Sequence, residues 1–462
     1  MRNKYKAVFY ALTLVLLGSC GGGGSGGGTG GGGLTSTVPY ISVNTSITQV
    51  QYPASYTTVA TTSPDTNPCN ISASTVSYPQ SWNGAQSLPA VVGAPLASGV
   101  VTAMMIKDIL PAGSLPKACA NPSNFSEFAK TVARLKSLNV NVIQVVQWHW
   151  AQINSDGSYK ITGDTYGSLS DAELAQYVSI IRAAGMKVIL SNQIQGFVNS
   201  SGMPNIPTPV GNATNWGRWL DAFQIFMLER AAKFQALGID YWEMGCNACV
   251  YGDNGDGSSA AAQQFSDAYL NTLNLVSRIY SGKKFIYENS WIRGNKPYLA
   301  GIDLLGAGLW TGNITSSEES TLTVASMKSK YMASNSVANL SSIVAAGKPV
   351  ILFAGIQSRN NALSVPGYME ETECTNSVGT LTFATSCIQS QTTTNFALQA
   401  IVIEAQLEIF TSSPLPSGSI VGIADYWQTD FMSAGGPTFP NIASSVRNKP
   451  AEAIVKQWFS GH

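Results

Sequence analysis

From about Gly99 to the C-terminus the chain repeats one unit: a short apolar, β-branched run, a polar loop, then an amphipathic helical stretch. This alternation constrains the fold more than any single motif does. "GVVTAMMI" opens it, and Phe125, Phe128, Val132, Leu135 and Leu138 follow at helical spacing, with Ser126 placed to cap. "VNVIQVVQWHW" reads as the second strand. In "SLSDAELAQYVSIIRAAG", Ser170 and Glu173 form a capping-box signature and Gly185 ends the helix. "MKVILSNQI" is the third strand. A long helix from about Trp216 to Leu237 stops at Gly238, just before the fourth strand, "GIDYWEMG". A helix over about 259–280 leads into "KKFIYENSW", and "IDLLGAGLW" follows as strand six. One helix over about 322–345 precedes "KPVILFAGI", another over about 393–410 precedes "IVGIADYW", and "KPAEAIVKQWF" is the last helix.

The strands are apolar almost without interruption, as strands buried on both faces must be. Roughly eight such units favour an α/β chain folded as a (β/α)8 TIM barrel over an open doubly wound sheet. No glycine-rich phosphate loop follows the first strand, so no nucleotide or dinucleotide cofactor is expected, and the sequence calls for no other cofactor. Residues 34–98 are rich in Thr, Ser, Val, Tyr and Pro and read as an irregular or β-rich extension before the barrel domain at 99–462.

The first 33 residues address the chain. "MRNKYK" is a positive segment and "AVFYALTLVLL" an apolar run short for a membrane span, which makes residues 1–19 a signal peptide. "LGSC" resembles the lipobox of bacterial lipoproteins, which implies cleavage before Cys20 and a lipid on its thiol. The alternative is an ordinary signal peptide with an incidental cysteine. The glycine-rich stretch to residue 33 is a flexible tether. Together these place the chain in a bacterial cell envelope, lipid-anchored to the outer membrane and either periplasmic or surface-exposed. Charge agrees with an exported protein that meets neutral ligands. Only 11% of residues are charged and the net charge is +0, so nothing grips a phosphate backbone and nucleic acid is not an expected partner.

Six cysteines remain: Cys69, Cys119, Cys246, Cys249, Cys374 and Cys387. An even number in an exported chain reads as disulfides, and sequence neighbourhood suggests Cys69–Cys119, Cys246–Cys249 and Cys374–Cys387, although six cysteines allow fifteen pairings. The C-x-x-C at 246–249 also fits a redox pair or half a zinc site. Only His149 and His462 offer imidazole and there is no second C-x-x-C, which argues against a metal.

A barrel carries its site at the C-terminal ends of its strands. There the sequence sets Trp148, His149 and Trp150 (strand two), Asn192 and Gln193 (three), Glu243 and Asn247 (four), Glu288, Asn289 and Trp291 (five), Trp310 (six), and Asp425, Tyr426 and Trp427 (eight). Aromatic platforms among amides and carboxylates suit a sugar, whose C–H face stacks while its hydroxyls hydrogen-bond. A glycan is the expected ligand. Each aromatic taken singly also fits a residue that merely caps the barrel.

These residues resemble the glycoside hydrolase clan A barrels, and among them the β-mannanase-like family 113. The likeness is carried by "LSDAELAQYVSIIRAAGMKVIL", the Trp216–Trp219 helix running into "LGIDYWEMG", "KKFIYENSW", "IDLLGAGLW", "KPVILFAGI" and "NKPAEAIVKQWF". The resemblance implies a retaining mechanism with an acid/base ending strand four and a nucleophile ending strand seven, about 5–5.5 Å apart. At the matching positions this chain has Asn247 and Ala354. Glu243 matches the inner, non-catalytic Glu of the strand-four pattern and reads as a hydrogen-bonded structural acid, with a catalytic role still open if burial raises its pKa. Glu288 stands where the family has a small residue, so it is either a relocated catalytic group or a ligand to a sugar hydroxyl. Glu370, Glu371 and Glu373 read as a solvated loop able to swing over the mouth. Three readings follow: a hydrolase with rearranged carboxylates (Glu288 with Glu243), an inactive glycan-binding barrel, or a structural and adhesive lipoprotein.

Overall fold

The computed structural model describes residues 55–61, 71–77, 101–102, 122–153, 159–162, 171–198, 204–205, 213–244, 260–287, 297–309, 314–364, 374–375, 381–382, 395–412, 415–423, 426, 432–433, 436–437, 444, 446 and 449–460. Before the barrel, β1 (Ser55–Thr61) pairs antiparallel with β2 (Ile71–Ser77), which agrees with a β-rich extension. The barrel follows: β3 (Val101–Thr102), α1 (Pro122–Ser137), β4 (Val142–Ile153) with β5 (Tyr159–Thr162), α2 (Asp171–Ala183), β6 (Lys187–Val198) with β7 (Pro204–Asn205), α3 (Ala213–Leu237), β8 (Tyr241–Glu243), α4 (Ala260–Val276), β9 (Lys283–Tyr287) and β10 (Leu304–Gly308). Then come α5 (Ser316–Glu319), α6 (Val324–Met332), α7 (Asn335–Ala345), β11 (Val350–Ala354), the short pair β12 (Cys374–Thr375) and β13 (Leu381–Thr382), α8 (Phe396–Ser412), β14 (Ile420–Ile423), the pair β15 (Met432–Ser433) and β16 (Gly436–Pro437), and α9 (Pro450–Ser460).

The main sheet runs β3-β14-β11-β10-β9-β8-β6-β4, parallel at every step. Its two ends, β3 and β4, are consecutive in the chain, as closure of a (β/α)8 barrel requires. Val142, Ile189, Tyr241, Phe285, Leu304, Ile351 and Ile420, one each from β4, β6, β8, β9, β10, β11 and β14, form a buried cluster of their own. Their chain neighbours (Ile143, Val188, Trp242, Ile286, Leu305, Val350 and Val421) belong instead to the larger core shared with the helices. Side chains alternate across a strand, so one set fills the barrel and the other meets the helix layer. That double burial is why the strands carry so few polar residues.

Polar side chains tie the strands in pairs at the N-terminal end. Asp240, immediately before β8, accepts the Val188 N–H of β6 at 2.8 Å. Asp303, before β10, accepts the Lys284 N–H of β9 at 2.8 Å. Ser419, before β14, accepts the Val350 N–H of β11 at 3.0 Å. Each N–H lies at the start of a strand, where the parallel ladder leaves a donor to be satisfied. The two Asp residues close the repeated tripeptide Gly-Ile-Asp, at 238–240 and 301–303. Gly238 has φ +67, a left-handed conformation that ends α3 and turns the chain back under the sheet.

The helix layer closes on itself through Glu452 of α9. Arg134 of α1 holds it with two bonds, Nε at 3.0 Å and Nη2 at 2.6 Å, and Tyr426 Oη donates to it at 2.8 Å. The single helix expected over 322–345 is two helices, α6 and α7. Ser334 adopts extended backbone (φ −86, ψ 156) and so starts a new helix rather than continuing the old one. Helix α8 is buried along most of its length and carries polar residues inside: Gln399, Glu404 and Gln406. Glu404 is 0% exposed, and burial, then the nearby Glu408, push its carboxyl up to about 8 despite Lys328.

Removing the acceptor in Asp240→Ala, Asp303→Ala or Ser419→Ala strands a strand-end N–H. Each is expected to lower stability by about 1–3 kcal/mol. Denaturant unfolding checks this: the midpoint falls while the slope is unchanged, and Asp303→Asn, which keeps a carbonyl acceptor, loses less.

Candidate functional site

Above the apolar cluster, towards the C-terminal ends of the strands, the next interior positions on β6 and β8 are Ser191 and Glu243, paired in register. Ser191 Oγ donates to the Glu243 carboxylate, and both residues are buried. Trp242 and Met244 on either side face the helices. Trp242 meets Phe234 and Tyr280 edge-on at centroid distances of 5.0 and 5.5 Å. Tyr269 of α4 donates its hydroxyl to the Met244 carbonyl, and burial, then the Glu243 charge, raise that phenol's pKa. Glu243 is therefore fixed from both sides: by Ser191 within the barrel and by Tyr269 through the backbone behind it. The acid inside an apolar strand is a held, inward-facing group.

At the equivalent level β4 carries Val146, in register with Ser191, and β10, β11 and β14 carry no acid. On β11 the interior set is Ile351 and Phe353, the latter packed on the apolar cluster. Ala354 belongs to the helix-facing core with Val350 and Leu352. The position expected to match the nucleophile thus faces away from the barrel axis, and the inward residue there is Phe353. Interior positions on β10 and β14 are Gly306, Gly308 and Gly422.

Three residues expected at the mouth lie in the helix layer instead. His149 is fully buried with its ring edge-on to Phe226 of α3, centroids 4.7 Å apart. Burial, then the Arg230 cation, push its imidazolium down to about 3, so at neutral pH it is uncharged. Asn192, also fully buried, lies beside it. Both share the outward parity of Val145 and Leu190, so strand alternation turns them from the interior. Tyr426 binds Glu452, as above, and serves the closing of the helices. Next to His149, Asp171 at the start of α2 accepts from Arg230 at 2.5 Å, from Lys233, and from Gln147 at 3.3 Å. Burial alone would raise this carboxyl, but the two cations hold it at about 2.

For Trp148, Trp150 and Gln193 the backbone alone is described. They lie where β4 and β6 run on past the barrel, flanked by β5 and β7, and the β4–β6 register shifts between His149 and Ala151. Such bulges favour sheet rims and sites. Asn247, Glu288, Asn289, Trp291, Trp310, Trp427 and the acids 370, 371 and 373 lie outside the described residues, as do Cys20, Cys69, Cys119, Cys246, Cys249 and Cys387. Of Cys374 only the backbone, in β12, is described. Among the described residues no group of three or more His, Cys, Asp or Glu is arranged to hold a metal. Ser191 was missed from the sequence. Its signal was a hydroxyl two residues beyond Ile189, on the same face of an otherwise apolar strand.

No protein-family model matches the chain, and no curated protein sequence matches it. Solved structures do. A GH113 β-1,4-mannanase superposes with TM-score 0.50 at 14% identity, over 78% of this chain and 99% of the other. The GH113 β-mannanase AaManA from Alicyclobacillus acidocaldarius gives 0.49 at 15%, over 79% and 98%. A GH5-4 broad-specificity endoglucanase from an uncultured bacterium gives 0.43 at 10%, over 79% and 94%. The fold is the (β/α)8 barrel that the GH113 β-1,4-mannanase structure also has.

The two buried titrating groups set a pH dependence of opposite signs. Native His149 stays neutral between 6.5 and about 3 while the unfolded imidazole takes a proton, so stability falls as pH drops through that range. Native Glu404 keeps its proton between 4.5 and about 8 while the unfolded carboxyl loses it, so stability falls as pH rises through that range. Where both act, from 4.5 to 6.5, the slopes cancel. Melting followed against pH is expected to give a plateau there, with each flank falling by up to about 1.4 kcal/mol per pH unit. Glu404→Gln flattens the alkaline flank and turns the plateau into a rise with pH, and His149→Phe flattens the acid flank and turns the plateau into a fall.

Proposed function

We propose that this chain is a lipid-anchored envelope protein whose barrel recognises an oligosaccharide or polysaccharide at its C-terminal mouth without the two-glutamate retaining mechanism. One observation carries the reading: residues 350–364, the seventh barrel strand and the first ten residues of the loop after it, contain neither Asp nor Glu, the next acids in the chain being Glu370, Glu371 and Glu373. Retaining hydrolysis needs a nucleophilic carboxylate about 5–5.5 Å from the acid/base. Glu243 is enclosed and bound to Ser191, which suits a structural acid better than a proton donor to a leaving group. Asn247 in place of the acid/base agrees with this reading. The likeness to a GH113 β-1,4-mannanase supports a β-linked glycan as ligand. The leader and Cys20 support the anchor, and the glycine-rich tether supports a barrel held off the membrane.

The second reading is a hydrolase with displaced acids, favoured by the inward, mouth-side placement of Glu243, with Glu288 as its partner. Both are tested by incubating the purified full-length chain with mannans, β-glucans and xylans, measuring reducing ends and calorimetric binding on the same samples. Binding without release, and no change in reducing ends for Glu243→Gln or Glu288→Gln, is the expected result. Release that disappears in either variant establishes the hydrolase with displaced acids. Neither binding nor release leaves a structural or adhesive lipoprotein.

A further inference from the structure

The β10–β11 ladder has its last residue pair at Gly308 and Phe353. One step further on, the Leu309 carbonyl and the Gly355 N–H are backbone groups at the C-terminal rim, beyond the reach of that pairing. A side chain from the helix layer serves both. Gln406 of α8, 2% exposed, accepts the Gly355 N–H on its Oε1 at 2.9 Å. Its Nε2 donates to the Leu309 carbonyl at 3.4 Å and to Tyr331 Oη of α6 at 2.8 Å. A glutamine side chain ends in an amide, chemically a peptide group, with one acceptor and two donors. Set between two strand ends, it stands in for one more rung of the parallel ladder.

The same helix repeats the device two turns earlier. Gln399 Nε2 donates to the Ile356 carbonyl and to the Ser444 carbonyl, both at 3.0 Å. Asn395, just before α8, donates its N–H to the Ser358 carbonyl at 2.8 Å. Lys449 Nζ donates to Ser358 Oγ at 2.9 Å, and Glu319 of α5 accepts the N–H groups of Leu363 and Ser364 at 3.0 Å each. Residues 355–364, the described start of the loop leaving β11, are thus clamped by side chains from the helix layer and by the Asn395 backbone N–H. Gln406 is the clamp that reaches both strands.

We propose that Gln406 is a positioning residue of the glycan mouth: its amide extends the β10–β11 ladder by one rung and sets the spacing of those strand ends where a sugar lies. The effect on glycan rests on the function proposed above; the effect on the strand ends does not. A sugar platform needs its edges held to a fraction of an ångström, and two strands ending without a shared rung would fray at the rim.

The test pairs amide hydrogen exchange with calorimetry on the full-length chain. In Gln406→Met, similar in length but with no amide, exchange at 355 is expected to quicken by at least about tenfold while peptides from β4, β6 and β8 keep their wild-type rates. Affinity for whichever mannan, glucan or xylan binds the wild type falls by a similar factor. Gln406→Glu keeps the acceptor and gives up the donor, so 355 stays protected while residues 304–309 exchange faster. Unchanged exchange at both strand ends in the Glu variant, or a uniform rise across the barrel in the Met variant, overturns the proposal. Local loosening in a chain that binds no glycan leaves Gln406 as the rung and removes the glycan reading instead.

Discussion

A parallel ladder satisfies the middle of each strand and leaves donors and acceptors to be matched at its ends. In this barrel both ends are finished by side chains, and the rest of the structure depends on that. At the N-terminal end Asp240, Asp303 and Ser419 each take an N–H from the first or second residue of the neighbouring strand, joining β6 to β8, β9 to β10 and β11 to β14. At the C-terminal end Gln406 and Gln399 reach up from α8 to the residues following β10 and β11. Buried backbone groups left unpaired are costly, so these side chains fix where each strand begins and stops.

Between the two finished ends the interior divides by height. Seven apolar side chains fill the middle. Above them come the Ser191–Glu243 pair on one side and glycines with Phe353 on the other. The asymmetry bears directly on chemistry. Carboxylate function is confined to the β6–β8 side among the described strand ends, while the β10–β14 side offers only small or aromatic surface. A sugar ring can rest on such a surface, but a covalent glycosyl intermediate needs an acid there.

Much of the barrel was legible in the sequence, because double burial forces strands to be continuously apolar and helices to be amphipathic. "KPVILFAGI" and "IDLLGAGLW" could hardly be read otherwise. What misled was parity at the strand ends. His149, Asn192 and Ala354 all look like rim residues when strands are read as linear strings, and all three face the helices. A period of two is unambiguous only when one position in each strand is anchored, and the anchor here is the apolar cluster, which only the fold assembles. The 322–345 region shows a related limit: Ser334 is compatible with a helix interior or a helix start, and packing chose the latter.

The sequence alone determined the class of fold, the order of its elements and the chemistry missing from "VILFAGIQSRNNALS", since no arrangement can supply a carboxylate that segment lacks. Only the tertiary structure decided which side of each strand a residue occupies and which partner it finds. Glu243 became an interior acid because Ser191 stands opposite it on the neighbouring strand. Glu404 is a carboxyl that keeps its proton past neutrality because α8 is buried along most of its length. Gln406 is a rung of the sheet because Leu309 and Gly355, 97 and 51 residues away, come to rest beside it. Such pairings join residues far apart in the chain, and no local pattern carries them.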